Sequence, residues 1–412
     1  RRGRLAVAGG RPAPGDAGVS GHRTALIWDP SVTGYFFRPD HPFNPKRLEL
    51  TVSLIEAMGL VGGERFPVIA PRRATEAELL RVHSAEYVDA VKRFSVEGAD
   101  TSDAWQWGLG TDDTPVFPGM HEVTSLVVGG SIQAAELVMA GEVTRAFNIC
   151  GGLHHAHRGR GSGFCVYSDL AAAIAWLREA HGARVMYVDY DAHHGDGVQG
   201  IFYSDPNVLT LSIHESGRYL FPGTGFVDEL GDGEGYGYSL NLPLEAFTED
   251  GSWISITEKL IPEVAESFKP DVIVLQNGCD GHVLDPLTHL RATTRLYEET
   301  VRIVCETADR LCGGRVVATG GGGYAVWTAV PRAWTLVWAG LSGQPAPDAI
   351  PHAWLQRWQG ESPELLPERL RDPAGAYPPV PRREEIEATN RRTFESLRRQ
   401  AYPLLRGWGL GF

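Results

Sequence analysis

The stretch Arg184–Gly197, RVMYVDYDAHHGDG, is the most informative part of the chain for fold and function. Its first part, Arg184–Val188, is a β-branched and apolar run of strand length, which predicts a buried strand. The run ends abruptly in five polar residues, Asp189, Asp191, His193, His194 and Asp196. Because side chains alternate along an extended segment, Asp189, Asp191 and His193 fall on one face. Carboxylates and imidazoles are ligands that Zn²⁺ accepts, so this strand end predicts a metal site rather than a solvated loop.

Length and composition suit a large α/β domain. The chain has 412 residues, 43% hydrophobic and 22% charged, which is enough to bury a sizeable core. Its net charge of −13 argues against nucleic acid or an anionic membrane surface as the partner. The five cysteines form no C-x-x-C pair, which favours reduced, buried thiols and a cytoplasmic protein. No run reaches the about 18 apolar residues that a membrane-spanning helix needs.

Three segments differ in composition. Residues 1–22 are rich in Arg, Gly, Ala and Pro and predict a disordered leader without a targeting signal. Residues 23–345 predict one folded domain. Residues 346–412 are Pro-rich, with helical patterns at His352–Gln359 and Glu384–Arg399, and predict an extension packed on that domain, the second helix being an outer, solvated one.

Strand-like and helix-like segments alternate along the domain. The predicted strands are Thr24–Trp28, Ala146–Cys150, Arg184–Asp189, Val208–Ile213, Asp271–Gln276 and Arg315–Thr319. The predicted helices are Lys46–Met58, Thr75–Arg81, Ala85–Phe94, His121–Ala140, Ser168–Ala180, Ser252–Phe268, Thr293–Leu311 and Val330–Gly340. This alternation predicts a mostly parallel sheet with helices on both faces. In such sheets the binding crevice lies outside the carboxyl ends of the strands.

Four predicted strands are each followed by a polar or glycine-rich loop. The loops are Gly151–His155 (GGLHH), Asp189–Asp196, Asn277–Gly281 (NGCDG) and Gly320–Tyr324 (GGGGY). Glycine lets the backbone approach a ligand closely, so four such loops at one sheet edge indicate a functional site. The glycine run lacks both the Lys-Ser/Thr of a P-loop and G-x-G-x-x-G spacing, which disfavours phosphate binding.

These motifs carry a family resemblance. GGLHHAHRGRGSGFCVYSD, VDYDAHHGDGV, FPGTG, NGCDGHVLDPL and GGGGY, in that order, resemble the zinc-dependent histone deacetylase superfamily. HPFNPKRLELT and VVATGGGGYAVWTAVPRAWTLVWAGL are most similar to its bacterial acetoin-utilisation (AcuC-type) branch. The resemblance runs from about Ala25 to beyond Leu341. It implies a single arginase-like α/β deacetylase domain around an eight-stranded, mostly parallel sheet.

The resemblance also implies the site residues. The Zn²⁺ ligands would be Asp191, His193 and Asp280, and three protein ligands leave the open position of a catalytic zinc. The catalytic residues would be His154 with its carboxylate partner Asp189, His155 with Asp196, and Tyr324 as a hydrogen-bond donor to the oxyanion. The substrate channel would be lined by Gly163, Phe164, Phe221 and Leu287, with Asp113 or its neighbour Asp112 at the rim. Arg47 would lie beside the acetate exit channel. A structural K⁺ would bind near Asp189, Asp191, His193, Ser212 and Ile213, largely through main-chain oxygens.

The implied reaction is hydrolysis of the acetyl-amide of a lysine side chain. His155 would act as general base and then as general acid, while His154 assists electrostatically. AcuC-type relatives are associated with removing acetyl groups from acetyl-CoA synthetase, which makes that protein a hypothetical target by analogy. One imidazole and two carboxylates suit Fe²⁺ as well as Zn²⁺, and the sequence leaves the oligomeric state open.

Three alternatives stand beside this interpretation. A two-metal arginase-type hydrolase needs Asp-x-His-x-Asp, but Gly195 occupies the position of the last ligand. An acetylpolyamine amidohydrolase would use the same catalytic residues. Leu287 stands where polyamine-selecting relatives can carry glutamate, which favours acetyl-lysine in a polypeptide. A non-catalytic acetyl-lysine binder would have lost a metal ligand or the tyrosine, and this sequence keeps them all.

Overall fold

The fold is built on one sheet of eight parallel strands. The computed structural model describes residues 22–407, so the predicted leader lies outside the described residues except for His22, as does the end of the predicted extension. The strands are β1 (Thr24–Ile27), β2 (Val68–Ile69), β3 (Arg145–Asn148), β4 (Val185–Asp189), β5 (Val208–Glu215), β6 (Ser239–Leu244), β7 (Val272–Gln276) and β8 (Val316–Thr319). Their spatial order is β2-β1-β3-β8-β7-β4-β5-β6, and every neighbouring pair is parallel. The predicted α/β architecture is confirmed.

Helices cover the sheet in two layers. They are α1 (Lys46–Ala57), α2 (Glu76–Leu79), α3 (Ala85–Phe94), α4 (Met120–Met139), α5 (Asp169–His181), α6 (Asp196–Phe202), α7 (Asp250–Phe268), α8 (Thr294–Leu311), α9 (Val330–Ser342), α10 (His352–Gln359) and α11 (Arg383–Gly407). Helices α1, α9, α8 and α7 pack side by side, whereas α4 and α5 pack on each other. Because both faces are covered, the central strands are buried along their whole length, as parallel strands usually are.

A buried row of polar residues crosses the sheet where the strands end. The residues in register, from β3 across to β6, are Asn148, Thr319, Gln276, Asp189, Ser212 and Asn241. Polar groups at this depth are stable only when they are hydrogen-bonded, because desolvation is costly. The row therefore marks the edge of the sheet at which the core gives way to a polar site.

Most predicted elements agree with the structure to within a few residues, and three elements were missed. Strand β2 has only two residues, which leaves no period to detect. Strand β6 contains Pro243, which a strand tolerates here because β6 lies at the sheet edge and pairs with β5 alone. Helix α6 begins at Asp196, which the sequence placed in a loop of polar residues.

The segment after α9 packs against the body of the domain. Helix α11 contacts β6 and α7 and is longer than predicted, with one buried stripe that includes Phe394 and Leu397. In the preceding loop, Asp372 accepts hydrogen bonds from Arg332 at 2.8 Å and from His282 at 2.9 Å, and all three side chains are buried. This hydrogen-bonded triad ties the segment to the loop that carries Asp280.

Two further predictions concern the whole chain. All five cysteines are buried free thiols, as predicted from their sequence context. Within residues 22–407, no helix combines the length and the apolar character that crossing a bilayer requires.

Candidate metal and catalytic site

The four motif loops come together because their strands are neighbours. Strands β3, β8, β7 and β4 occupy consecutive positions in the sheet. Parallel strands all end at the same edge, about 4.8 Å apart. The loops GGLHH, GGGGY, NGCDG and DYDAHHGD therefore lie side by side over the polar row, although they are spread over more than 170 residues of sequence from Gly151 to Tyr324.

Asp191, His193 and Asp280 form a buried cluster that can hold a metal ion. One ligand atom from each lies within 4.8 Å of the other two, and Nδ1 of His193 is 2.9 Å from Oδ2 of Asp280. No Lys or Arg of the described residues pairs with either carboxylate. Burial and the adjacent charge of Asp191 raise the pKa of Asp280 to about 6. Two buried carboxylates facing each other need a positive charge between them, so the donor set fits a divalent cation.

Neighbouring groups hold these carboxylates in place. Gln276 Nε2 and the main-chain N–H of Gly322 each donate a hydrogen bond to Oδ2 of Asp191 at 2.7 Å. The N–H of Ala192 donates to Oδ1 of Asp280 at 2.8 Å. Gly278 packs directly on Asp191, since a Cβ there would lie 2.0 Å from its Oδ2. Glycine is required at this position by close approach, and the cluster is ordered by the residues around it.

The tandem histidines each bind a carboxylate through Nδ1. His154 donates to Asp189 Oδ2 at 2.8 Å, and His155 donates to Asp196 Oδ1 at 2.7 Å. Burial opposes protonation of His154, but the charges of Asp189 and Asp191 outweigh it and raise its pKa to about 9. Burial and the charge of His154 lower the pKa of His155 to about 4. At neutral pH one imidazole is therefore charged and the other keeps a free Nε2 lone pair.

A buried carboxylate fixes the backbone that carries these histidines. Asp169, at the start of α5, accepts hydrogen bonds from the N–H groups of Gly152 and Leu153 and from the hydroxyl of Ser131. Burial raises the pKa of Asp169, and these three donors oppose that shift. From the sequence, Asp169 is predicted only to lie at the start of a helix. Its position after an apolar stretch gives no signal of the loop it supports.

Tyr324 lies between the metal ligands and an aromatic wall. Its main-chain N–H donates to Asp285 Oδ2 at 2.7 Å, and its ring meets the edge of Phe164 at 5.6 Å between centroids. Burial and the charge of Asp280 raise the pKa of the Tyr324 hydroxyl well above its ordinary value. The hydroxyl therefore stays protonated and can donate a hydrogen bond.

The predicted channel residues lie next to the histidines. The ring of Phe221 is 5.0 Å from that of His155. Gly163 has a φ of +51°, and a Cβ on it would lie 2.5 Å from Cδ2 of His155. Its neighbour Phe164 is itself held at a φ of +68°, which is uncommon for a bulky residue. Gly163 thus lies against both His155 and Phe221, while the ring of Phe164 lies against Tyr324.

The predicted rim residues lie on two loops at this wall. Asp113 is exposed, and the adjacent Thr114 accepts a hydrogen bond from the N–H of Phe164 at 3.2 Å. Leu287 is half-buried and donates its N–H to Asp285 Oδ1 at 2.9 Å. Asp285 thus holds Leu287 and Tyr324 together, a function that the sequence did not reveal.

Arg47 is a buried cation without a carboxylate partner among the described residues. Its Nη1 donates to the main-chain oxygens of Gly321 and Gly323, both at 2.9 Å. Its guanidinium lies 4.6 Å from the ring centroid of Phe43 and 5.1 Å from that of Trp334, and its Nε has no hydrogen-bond partner. Arg47 therefore places a positive charge directly behind the GGGGY loop.

The five residues predicted to bind K⁺ are all buried, three of them at or just after the end of β4 and two within β5. Asp189 stands opposite Ser212 in the register of the two strands, and Ile213 follows. Asp191 and His193 continue from the end of β4. The structure thus brings these residues together.

Comparisons with known proteins place this site in a family. Residues 41–341 match the model of the histone deacetylase domain. The chain is 49% identical over 370 residues to the acetoin utilization protein AcuC of Bacillus subtilis (strain 168), covering 90% of this chain and 95% of that protein. It is 41% identical over 371 residues to AcuC of Staphylococcus aureus (strain MSSA476), with the same coverage of the two chains.

Solved structures agree with this placement. The crystal structure of a histone deacetylase homologue from Aquifex aeolicus superposes with a TM-score of 0.80 at 32% identity, covering 90% of this chain and all of that one. A structure of a histone deacetylase homologue complexed with SAHA gives a TM-score of 0.79, also at 32% identity and with the same coverage. The chain therefore belongs to the histone deacetylase family of hydrolases.

Proposed function

We propose that the protein is a zinc-dependent deacetylase that removes acetyl groups from lysine side chains of proteins. The observation that carries the proposal is the buried Asp191–His193–Asp280 cluster lying beside two carboxylate-bound histidines and Tyr324. A cluster with three protein ligands and a nearby base is the arrangement of hydrolytic metal sites. The half-buried Leu287 supports a polypeptide substrate, because it offers no charge to attract a polyamine.

The metal ion would be held by Asp191, His193 and Asp280. When bound, Zn²⁺, or Fe²⁺ in the same ligands, would supply Lewis-acid polarisation of the acetyl carbonyl and acidify a water molecule. Gln276 and Gly322 keep Asp191 oriented for this role through their hydrogen bonds. By resemblance, K⁺ near Asp189 and Ser212 would be structural.

The protein's own groups account for the proton transfers. Nε2 of His155 accepts a proton from the attacking water, because Asp196 holds the other ring nitrogen as a donor. It then delivers that proton to the lysine nitrogen as the C–N bond breaks, which yields acetate and a free amine. His154 remains protonated and stabilises negative charge, and the Tyr324 hydroxyl donates to the developing oxyanion.

The remaining residues bind and guide the substrate. Phe164 and Phe221, with Gly163 against His155 and Phe221, would enclose the aliphatic part of acetyl-lysine. Asp113 would bind the substrate backbone at the rim. Arg47 would attract the acetate product, since its buried charge has no carboxylate partner in the described part of the chain.

We also propose a domain organisation and a target protein. Residues 23–345 would form the catalytic domain and residues 346–412 an extension on it, which the Asp372 triad supports. Acetyl-CoA synthetase is the hypothetical target, by analogy with proteins of the AcuC type.

The experiment is turnover of an acetyl-lysine peptide and an N-acetylated polyamine by the zinc-loaded protein, with Tyr324→Phe as the matched variant. We expect preferential hydrolysis of the peptide and a loss of kcat of about 10²–10³ in the variant, because one oxyanion donor is removed. Faster polyamine hydrolysis would move the substrate to the polyamine class. No turnover of either substrate by protein with stoichiometric zinc would indicate a binder.

A further inference from the structure

A large surface groove begins beside the proposed substrate channel. Its volume is about 1230 Å³, and it lies between the loop that follows β6, the segment 289–291 and the start of α11. Its walls include Tyr219 and Phe247, each 48% exposed, and the buried Ile386 forms part of its apolar surface. Most of the residues that line this groove belong to the segment after residue 345, beyond the part of the chain that matches the family domain.

The groove adjoins the channel along two separate loops. Tyr219 precedes Phe221, which contacts His155, by two residues. His289 follows Leu287 by two residues, and Leu287 is held by the same carboxylate as Tyr324. Two residues of backbone span at most about 7 Å. The near end of the groove therefore lies within two or three residues of an acetyl-lysine along an extended polypeptide.

The backbone of Phe247 is strained. Its φ of +66° lies in the left-handed region, where Gly or Asn is the stable choice. Its ring is nevertheless half-exposed, 6.0 Å from that of His289, so burial does not explain the strain. Strained backbone that presents an exposed aromatic ring is typical of a binding surface.

The charges of the groove are unevenly paired. Arg382 is paired with Glu385, and the Tyr219 hydroxyl is hydrogen-bonded to Glu245. Arg392 donates to the hydroxyl of Thr389 at 2.9 Å. The charge of Arg291 acts on Glu249, and that carboxylate is itself bound by Arg383. Three arginines and two glutamates line the groove, and in a chain with a net charge of −13 this local positive excess complements an acidic ligand.

We propose that this groove binds the polypeptide flanking the acetyl-lysine, with an apolar side chain against Phe247 and an acidic one beside Arg291 and Arg392. The inference rests on the proposed deacetylase function and narrows its substrate class to polypeptides. Small-molecule pockets hold about 300–1,000 Å³, and the groove is larger and open. An acetylpolyamine that reaches the metal through the channel would leave the groove empty.

The test compares two substrates and two variants of the full-length, zinc-loaded protein. The substrates are a peptide of about ten residues with Leu and Asp near the acetyl-lysine, and a single acetyl-lysine blocked at both ends. The variants are Phe247→Asn and, as the control, Tyr236→Asn. Tyr236 is a 52% exposed aromatic that precedes the amino end of β6, whereas the groove residues 245–247 follow the carboxyl end of this strand.

We expect Phe247→Asn to lower kcat/KM for the peptide about tenfold and to leave that for blocked acetyl-lysine unchanged. Its thermal midpoint should be equal to or above that of the wild type, because Asn tolerates the left-handed φ. When Leu and Asp of the peptide are exchanged for Ser and Lys, kcat/KM for the peptide should be the same in Phe247→Asn and in the wild type.

Three outcomes would overturn the proposal. Phe247→Asn could lower kcat/KM equally for both substrates, it could leave kcat/KM for the peptide unchanged, or Tyr236→Asn could lower kcat/KM for the peptide by the same factor. If the wild type hydrolyses neither substrate, the proposed function is wrong. Whether the groove binds the peptide is then tested separately by a binding measurement. Fluorescence anisotropy of the labelled peptide should then show about tenfold weaker binding to Phe247→Asn. Equal binding to both proteins would refute the groove as the docking site.

Discussion

His83 is buried beneath the loop that carries the tandem histidines, and we expect it to make the protein labile to acid. Its Nδ1 donates to the main-chain oxygen of His157, and its Nε2 accepts from the N–H of Ser168, both at 3.0 Å. These partners require the neutral ring, since a proton on Nε2 would face the donor of Ser168. Burial lowers the pKa of His83 to about 4.

The magnitude follows from this pKa and the value of about 6.5 in the unfolded chain. Because the folded-state pKa is the lower one, the unfolded state binds the proton first, and stability falls as the pH drops from 6.5 towards 4. The difference of about 2.5 pKa units corresponds to about 3 kcal/mol in total, of which about 2 kcal/mol is lost by pH 5. Above pH 6.5 this contribution to the free energy of unfolding is fully present.

Urea unfolding of the wild type and of His83→Gln at pH 7.5 and pH 5 measures this contribution. Glutamine offers one donor and one acceptor but does not titrate, so the loss of stability between the two pH values should be about 2 kcal/mol smaller in the variant. Titration of the metal ligands is common to both proteins and cancels. His181→Gln, which removes an exposed imidazole at the end of α5, is the control. If His83→Gln loses as much stability as the wild type, the account of His83 is wrong.

Two further predictions concern the support of the metal cluster. Gly278→Ala should weaken metal binding about 10–100-fold in a chelator competition, because its Cβ would lie 2.0 Å from the Asp191 carboxylate; unchanged affinity would contradict the close packing. Asp372→Asn should lower the free energy of unfolding in urea by about 3 kcal/mol, because Arg332 would lose its buried counter-charge. A loss under about 1 kcal/mol would mean that the segment after residue 345 is held mainly by apolar packing.

The sheet and the site loops could be predicted because each signal is local. A β-branched run followed by Asp189–Asp196 predicts both a strand and the functional loop at its end. Strands β3, β7 and β8 are likewise each followed by a polar or glycine-rich loop. Strand β6 gave no such signal, since its Pro243 is acceptable only at a sheet edge. Edge position is a property of the assembled sheet, so a local pattern cannot contain it.

The residues that support the site were hidden for a similar reason. Gln276 ends an apolar strand and looks like its boundary, yet its amide binds Asp191 across two strand ends. Asp285 and Asp169 sit in a loop and at a helix start, where carboxylates are common. Their functions depend on which backbone N–H groups face them. Those partners come from segments far away in sequence, and only the fold identifies them.

The position of β8 has a consequence for how the protein is made. This strand is the last of the eight to be synthesised, yet it pairs with β3 on one side and β7 on the other. Without β8, the strand order would divide into β2-β1-β3 and β7-β4-β5-β6, each with an unpaired edge that could pair with another chain. The same late insertion brings the N–H of Gly322 to the carboxylate of Asp191, which precedes it by 131 residues. We therefore expect that a chain that ends before β8 lacks both a closed sheet and the complete metal site.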